Sequence, residues 1–240
     1  MVESIHVGII PDGNRRWCKK NDYHLDDMCK KWIEIVSVVI EEILHILNNG
    51  NNRSKTKYKD LMNINELSLY VCSIDNMSRN DGSIETICNF IRKLEEIYTN
   101  NMNNLCAENK DKITQKINKT KINIIGEVDL LPSDIQEICD KLSEERDANP
   151  EFTINVAIAY DYKKDLSNYG IFNDVKYNRE QSDIDLIVRT GGEKRISGFF
   201  PSKTIYSEFF FKNKLWPEFR LQDLNNIVKL YKKRERRFGK

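Results

Sequence analysis

Short β-rich runs alternate with longer stretches of helical periodicity along the whole chain, and this alternation limits the fold more than any other feature of the sequence. The run Ile5–Ile10 ends in the turn residues Pro11-Asp12-Gly13-Asn14, which predicts a buried parallel strand handing over to a helix. From Asp26 to Leu47 the positions Trp32, Ile35, Val36, Val39, Ile40, Ile43, Leu44 and Leu47 recur at helical spacing, and Asn48-Asn49-Gly50 supplies a C-terminal cap. A second strand is expected from near Leu67 through Cys72, then a helix from Ile84 to Leu105 that Asn100–Asn104 interrupts. Ile122–Ile125 and Phe152–Ala159 read as strands, separated by a helix that starts at Pro132-Ser133-Asp134 and ends before Asn149-Pro150. Asp185–Val188 is the last expected strand, stopped by Thr190-Gly191-Gly192. The pattern predicts an α/β fold: a single domain over residues 1–240, a central, mainly parallel sheet flanked by helices, and a polar surface loop at 48–63.

Charge and cysteine usage remove several function classes. The chain has 38 Lys and Arg against 37 Asp and Glu, a net charge of +1, so no global field draws it to nucleic acid or an anionic membrane, and any basic site must be local. Cys18, Cys29, Cys72, Cys88, Cys106 and Cys139 form no CxxC pair, and no secretory apolar run follows the first residues, so a reducing cytoplasmic compartment is expected. Charge breaks every apolar stretch well short of the roughly 20 residues that span a bilayer, so no transmembrane segment is expected. With only His6, His24 and His45 available, a histidine-rich zinc site is excluded.

In parallel sheets ligands gather at the carboxyl ends of strands, where loop and helix amides point outward. Two segments there carry chemistry. Asp12-Gly13-Asn14-Arg15-Arg16-Trp17 offers a glycine for close approach, amides and Arg16 for phosphate oxygens, and the Asp12 carboxylate for a divalent cation. Arg189 to Ser197 adds Arg189, Arg195 and Ser197, and arginine forks suit a diphosphate better than a nucleobase. On its own the first segment is equally a helix-capping turn. The first segment has neither the lysine ending of a P-loop nor the glycine spacing of a dinucleotide site. A magnesium ion held by Asp12, Glu208 and ligand phosphates fits this hard-oxygen chemistry.

His6 to Trp17 resembles the opening signature of the cis-prenyltransferases, the undecaprenyl and dehydrodolichyl diphosphate synthase family. Asp185 to Phe199 resembles their second signature, and Tyr206–Phe211 followed by Leu215–Phe219 their third. Leu69–Asn76, Ile125-Gly126, Asn155–Tyr160 and Arg234–Gly239 extend the likeness over nearly the whole chain. The resemblance implies the cis-prenyltransferase fold with a hydrophobic tunnel beside the sheet. It also implies magnesium-dependent condensation of an allylic diphosphate with isopentenyl diphosphate, forming a Z double bond. It assigns Asp12, Asn14, Arg16, Ser73 and Asn76 to catalysis, and Asp12 and Glu208 to magnesium. Gly13, Asn14, Arg15, Arg16, Trp17, Arg79, Arg189, Arg195 and Ser197 would hold the two diphosphates. Ile35, Val39, Ile43, Ile87 and Ile91 are expected on the tunnel wall, where core packing is an equal reading for each.

The sequence also departs from the family pattern. Leu25 and Cys29 stand where an arginine and a histidine are usual, Asp161-Tyr162 replaces a glycine pair, and the stretch before Asp185 is short. Three assignments follow: a regular synthase, an irregular coupling or cyclising synthase on the same fold, or a noncatalytic partner subunit. Retention of Asp12, Arg189, Arg195 and Glu208 favours a catalytic chain. The expected assembly is a homodimer, with a heteromeric partner as the alternative. Nucleic acid is not an expected partner, and peripheral contact with a membrane through a greasy product is compatible with the sequence.

Overall fold

The computed structural model describes residues 4–24, 30–40, 57–78, 83–104, 120–144, 150–171 and 182–237. Its strands are β1 (Ile5–Ile10), β2 (Ile64–Tyr70), β3 (Thr120–Ile125), β4 (Phe152–Ala157), β5 (Leu186–Arg189) and β6 (Glu208–Phe211). They form one sheet in the order β3-β4-β2-β1-β5-β6, with every pairing parallel. Helices are α1 (Asn14–Asn21), α2 (residues 30–40), α3 (Ile74–Met77), α4 (Ser83–Asn104), α5 (Ser133–Ser143), α6 (Tyr162–Ile171) and α7 (Leu221–Tyr231). The α/β architecture read from the alternation of periods is therefore the observed one.

The period of two along each strand sends alternate side chains to opposite faces. Val7 and Ile9 of β1, Leu67 and Leu69 of β2 and Leu186 and Val188 of β5 pack in one buried cluster with Phe90, Ile91 and Leu94 of α4 and Leu224 and Val228 of α7. Each fully buried side chain of this size stabilises the fold by ~1.5–3 kcal/mol. The opposite face is smaller and more polar. Ile10, Ile125, Ala157 and Ile187 pack there against Phe199 and Phe200, and a ladder of buried polar groups crosses four strands below them.

In that ladder Asn123 Nδ2 donates to Asn155 Oδ1 at 2.8 Å, and Asn155 Nδ2 donates to Glu66 Oε1 at 2.7 Å. His6 Nε2 lies 2.7 Å from Ser68 Oγ, and Nδ1 lies 3.0 Å from Ser182 Oγ. Burial pushes the His6 pKa below its ordinary 6.5, against the pull of the Glu66 and Asp185 carboxylates. The unfolded chain therefore takes this proton first, so His6 contributes stability that is full above 6.5 and is lost as pH falls below it. The melting midpoint is expected to drop between about pH 7 and pH 5.5, and His6→Asn to flatten that slope; calorimetry at stepped pH checks both.

Several boundaries differ from the sequence reading. The helix α4 continues through Asn100–Asn104 instead of breaking, because asparagine costs only ~0.7 kcal/mol against alanine, which a long packed helix absorbs. The strand expected to reach Ala159 stops at Ala157, since Ala159 takes a left-handed φ of 47°. β2 runs from Ile64 to Tyr70 and leaves Val71 and Cys72 outside it. β6, one of the two edge strands, has only four residues and is not among the strands expected from the sequence. Of the loop expected at 48–63, residues 48–56 lie outside the described residues. Lys59–Asn63 is instead a 3-10 turn whose Leu61 is fully buried against the main core. The cap expected at Asn48-Asn49-Gly50 also lies outside the described residues.

Candidate active site

The chain leaves β1 for β2 on one side and later returns to β5 on the other. The carboxyl ends of β1 and β5 therefore diverge at a topological switch point, where open parallel sheets form crevices. The loop Pro11-Asp12-Gly13 follows β1, and Thr190–Ser197 follows β5. Gly13 adopts φ 103°, and a Cβ there would lie 2.7 Å from Leu215 Cδ2, so only glycine lets α1 start at Asn14.

These loops line a cavity of about 1050 Å³. At its centre Asp12 Oδ2 accepts from Arg189 Nη2 at 2.8 Å, while Oδ1 accepts from the Gly13 amide at 2.5 Å and lies 3.4 Å from Arg16 Nη2. Burial alone would raise the Asp12 pKa, but the hydrogen bond and charge of Arg189, the Gly13 amide and Arg16 outweigh it and hold the carboxyl below 3.8. Asp12 is an anion throughout the neutral range. Arg189 is only 4% exposed. Its Nη1 donates to Ser197 Oγ at 2.8 Å and to the Arg195 carbonyl at 2.5 Å, so one guanidinium ties both chemistry-bearing loops together. Arg16 Nη1 donates to the Gly191 carbonyl at 2.6 Å, and Arg195 Nη1 to Glu193 Oε2 at 2.6 Å.

A second side of the cavity comes from β2 and the turn after it. Tyr70 Oη donates to the Ser197 carbonyl at 3.0 Å, and burial pushes its pKa up to about 12, so the phenol keeps its proton. Ser73 Oγ donates to Asn76 Oδ1 at 3.0 Å across α3. Cys72 accepts the Ala159 amide on sulfur at 3.0 Å, and burial lifts its thiol to about 11, which makes it inert. Apolar lining comes from Trp32 of α2, Ile87 of α4, and Tyr162 and Leu166 of α6. The cavity thus has a cationic, hydrogen-bonding end and an apolar side, the form of a site for an amphiphile with an anionic head.

Of the residues singled out from sequence, Asp12, Gly13, Asn14, Arg15, Arg16, Ser73, Asn76, Ile87, Arg189, Arg195 and Ser197 line this cavity together. Trp17 does not line it; its ring stacks on Tyr23 with centroids 5.0 Å apart. Glu208 does not join Asp12 either. It pairs with Leu186 at the start of β6, three residues or ~10 Å along the strand from Phe211, the partner of Arg189, and lies beside Arg234 at 3.8 Å. Ile35, Val39 and Ile91, expected on a tunnel wall, are packed in the main core and do not line the cavity. Arg79, Ile43, Leu25 and Cys29 lie outside the described residues. Tyr70, Trp32, Tyr162, Leu166 and Thr190 were missed as site residues. Tyr162 and Leu166 are spaced i, i+4 on one helical face, a signal too short to separate from ordinary packing.

Among the described residues no three His, Cys, Asp or Glu side chains gather closely enough to hold a metal. The donor set nevertheless fits a magnesium ion that arrives with phosphate oxygens, because Mg²⁺ is commonly bound by one or two carboxylates plus substrate phosphates. Asp12 is a hard anionic oxygen donor in the cavity, and the neighbouring Asn14 Oδ1 is buried with no hydrogen bond.

A parallel sheet whose switch point carries arginine and amide donors beside an apolar wall has the form of a site for an amphiphilic anion, and the chain is similar to the following known proteins. Residues 10–239 match the family model described as "Putative undecaprenyl diphosphate synthase". The chain is 32% identical to the tritrans,polycis-undecaprenyl-diphosphate synthase (geranylgeranyl-diphosphate specific) of Sulfurisphaera tokodaii, over 98% of this chain and 87% of that one. It is 28% identical to the (2Z,6E)-farnesyl diphosphate synthase of Thermobifida fusca, over 98% and 89%. The crystal structure of lavandulyl diphosphate synthase from Lavandula x intermedia, in complex with dimethylallyl diphosphate, superposes with a TM-score of 0.70 at 21% identity, covering 100% of this chain and 99% of that one, and shares the fold. The chain belongs to the cis-prenyltransferase family, whose general chemistry condenses an allylic diphosphate with isopentenyl diphosphate. No helix among the described residues is long and apolar enough to cross a membrane.

Proposed function

We propose that this chain is a magnesium-dependent cis-prenyltransferase that joins an allylic diphosphate to isopentenyl diphosphate and releases one diphosphate per cycle. The observation that carries this reading is the single guanidinium of Arg189, which holds Asp12 from one loop and Ser197 from the other at 2.8 Å each, in a cavity with apolar lining.

In this reading the allylic diphosphate lies against the Gly13 and Asn14 end of α1, with Arg15 and Arg16 above it. The isopentenyl diphosphate lies against Arg189, Arg195 and Ser197. Asp12 and the phosphate oxygens would hold magnesium, which when bound would neutralise charge on the departing diphosphate. The C–O bond of the allylic group breaks with its electron pair on the diphosphate, C1 bonds to C4 of the isopentenyl group, and a proton leaves C2 for the released diphosphate. The protein's own contribution is to fix both heads so that the two carbons meet, which can supply ~7–11 kcal/mol of the barrier. Ser73 and Asn76 face the reacting carbons from the β2 side. Ile87 and Trp32 receive the growing chain, whose burial is worth ~0.8 kcal/mol per CH₂. The working assembly in this reading is a homodimer.

The test is product analysis. The purified chain with magnesium, labelled isopentenyl diphosphate and one of dimethylallyl, geranyl, farnesyl or geranylgeranyl diphosphate is expected to yield Z-elongated diphosphates, identified by mass spectrometry and NMR. A branched or cyclic ten-carbon product from dimethylallyl diphosphate alone would replace this reading with irregular coupling. No product from any primer would assign the chain to a partner subunit.

A further inference from the structure

We infer that Thr190 is the positioning residue of Asp12: its buried hydroxyl clamps the Asp12 peptide from both sides and so sets where the carboxylate meets a magnesium diphosphate. The inference rests on the proposed function for the ligand, and on the following geometry for the residue.

The β1–β5 ladder pairs Ile10 with Arg189, and the next rung of a regular parallel ladder would run from the Asp12 amide to the Thr190 carbonyl; the Asp12 amide meets the Thr190 side chain instead. The last main-chain rung is a 3.3 Å bond from the Thr190 amide to the Ile10 carbonyl. Beyond it a side chain takes over. Thr190 Oγ1 accepts the Asp12 amide at 2.9 Å and donates to the Asp12 carbonyl at 2.7 Å, and the residue is fully buried. One hydroxyl thus serves as donor and acceptor to the same residue, a pairing that valine cannot supply and serine can.

Neighbouring contacts leave the peptide little freedom. The Asp12 carbonyl also accepts the Trp216 amide at 3.0 Å, and the Asp12 amide is 3.0 Å from the Ile10 carbonyl. At Gly191, with φ +83°, an added Cβ would lie 3.0 Å from the Asp12 carbonyl carbon and 2.7 Å from Arg16 Nη2. The turn after β5 is therefore in contact with the Asp12 backbone. None of these bonds uses the carboxylate, which stays with Arg189, Arg16 and the Gly13 amide. Thr190 does not itself line the cavity; it acts through Asp12, which does. A shift of about 1 Å in such a group can cost a hundredfold in rate.

The experiment compares wild type, Thr190→Val and Thr190→Ser. It measures turnover, the magnesium concentration for half-maximal turnover, and calorimetric binding of inorganic pyrophosphate with magnesium, with thermal melting as the folding control. Thr190→Val is expected to fold, to lose about a hundredfold in kcat, to need several times more magnesium, and to bind magnesium pyrophosphate more weakly. Thr190→Ser is expected to keep wild-type magnesium dependence. A merely packing role for Thr190 would lower the melting midpoint without moving the magnesium dependence. A Thr190→Val chain with wild-type magnesium dependence, or a Thr190→Ser chain whose dependence rises like that expected for valine, overturns the inference. If the valine variant does not fold, the serine variant decides: retained magnesium dependence supports the clamp and altered dependence overturns it. A folded wild type that turns over no substrate pair defeats the proposed function, while the pyrophosphate calorimetry still judges Thr190.

Discussion

Asp12→Asn is expected to lower turnover by about a thousandfold while the protein stays folded, since removing one preorganised group at a site of developing charge costs about 10²–10³. The substitution keeps one oxygen, which can still accept from either Arg189 or the Gly13 amide, and sets an N–H group against the other donor, so one of these two bonds is lost as well. What it removes is the anion that would share magnesium with the departing diphosphate. The expected signature is a fall in kcat with a smaller change in KM for either diphosphate, read by steady-state kinetics at saturating magnesium. The pH behaviour follows from the same contacts. Asp12 is held below 3.8 by Arg189 and its neighbours against the opposing effect of burial, so its contribution to stability is present above that pH and is lost only as pH falls below it. The variant should therefore differ least from wild type in stability at strongly acidic pH.

Arg189→Lys is expected to lose more, despite keeping the charge. The Arg189 fork makes three contacts in two directions, to Asp12, to Ser197 and to the Arg195 carbonyl. An ammonium on a flexible stem cannot reproduce that planar geometry. Both loops lose their common anchor, so kcat is expected to fall by about a thousandfold or more and KM for isopentenyl diphosphate to rise. The melting midpoint should also drop, because a buried ammonium at this position cannot make all of the bonds that the Arg189 fork makes to Asp12, Ser197 and the Arg195 carbonyl. Arg195→Lys provides the contrast. Its guanidinium is largely exposed and pairs with Glu193, so stability is expected to change little while the isopentenyl diphosphate KM rises.

Much of this site was legible because it is built from loops that follow strands in sequence. The β-branched runs ending at Ile10 and Val188 located two strand ends, and Asp12, Arg16, Arg189, Arg195 and Ser197 lie immediately beyond them. Periodicity says where an element lies, but not which side of a helix faces a cavity. Ile87 and Ile91 are one turn apart on α4; Ile87 lines the cavity, whereas Ile91 is packed in the core. Ile35 and Val39 of α2 also pack in the core, while Trp32 lines the cavity. The position of Glu208 relative to Asp12 is not legible for a different reason: its pairing on β6 depends on a register that no local pattern encodes, and that register puts it beside Leu186, at the amino end of the strand. The sequence marks Thr190 only as the stop of a strand, because a threonine at a strand end is ordinary composition, and its two hydrogen bonds to Asp12 exist only once β1 and β5 lie side by side.

The most direct test of the central claim is diphosphate release by the purified chain, measured with isopentenyl diphosphate alone, with an allylic diphosphate alone, and with both, in magnesium and again in excess chelator. The account predicts release only when both substrates and magnesium are present, in step with consumption of isopentenyl diphosphate. Release from the allylic substrate alone, or no release from any combination by folded protein, would contradict it.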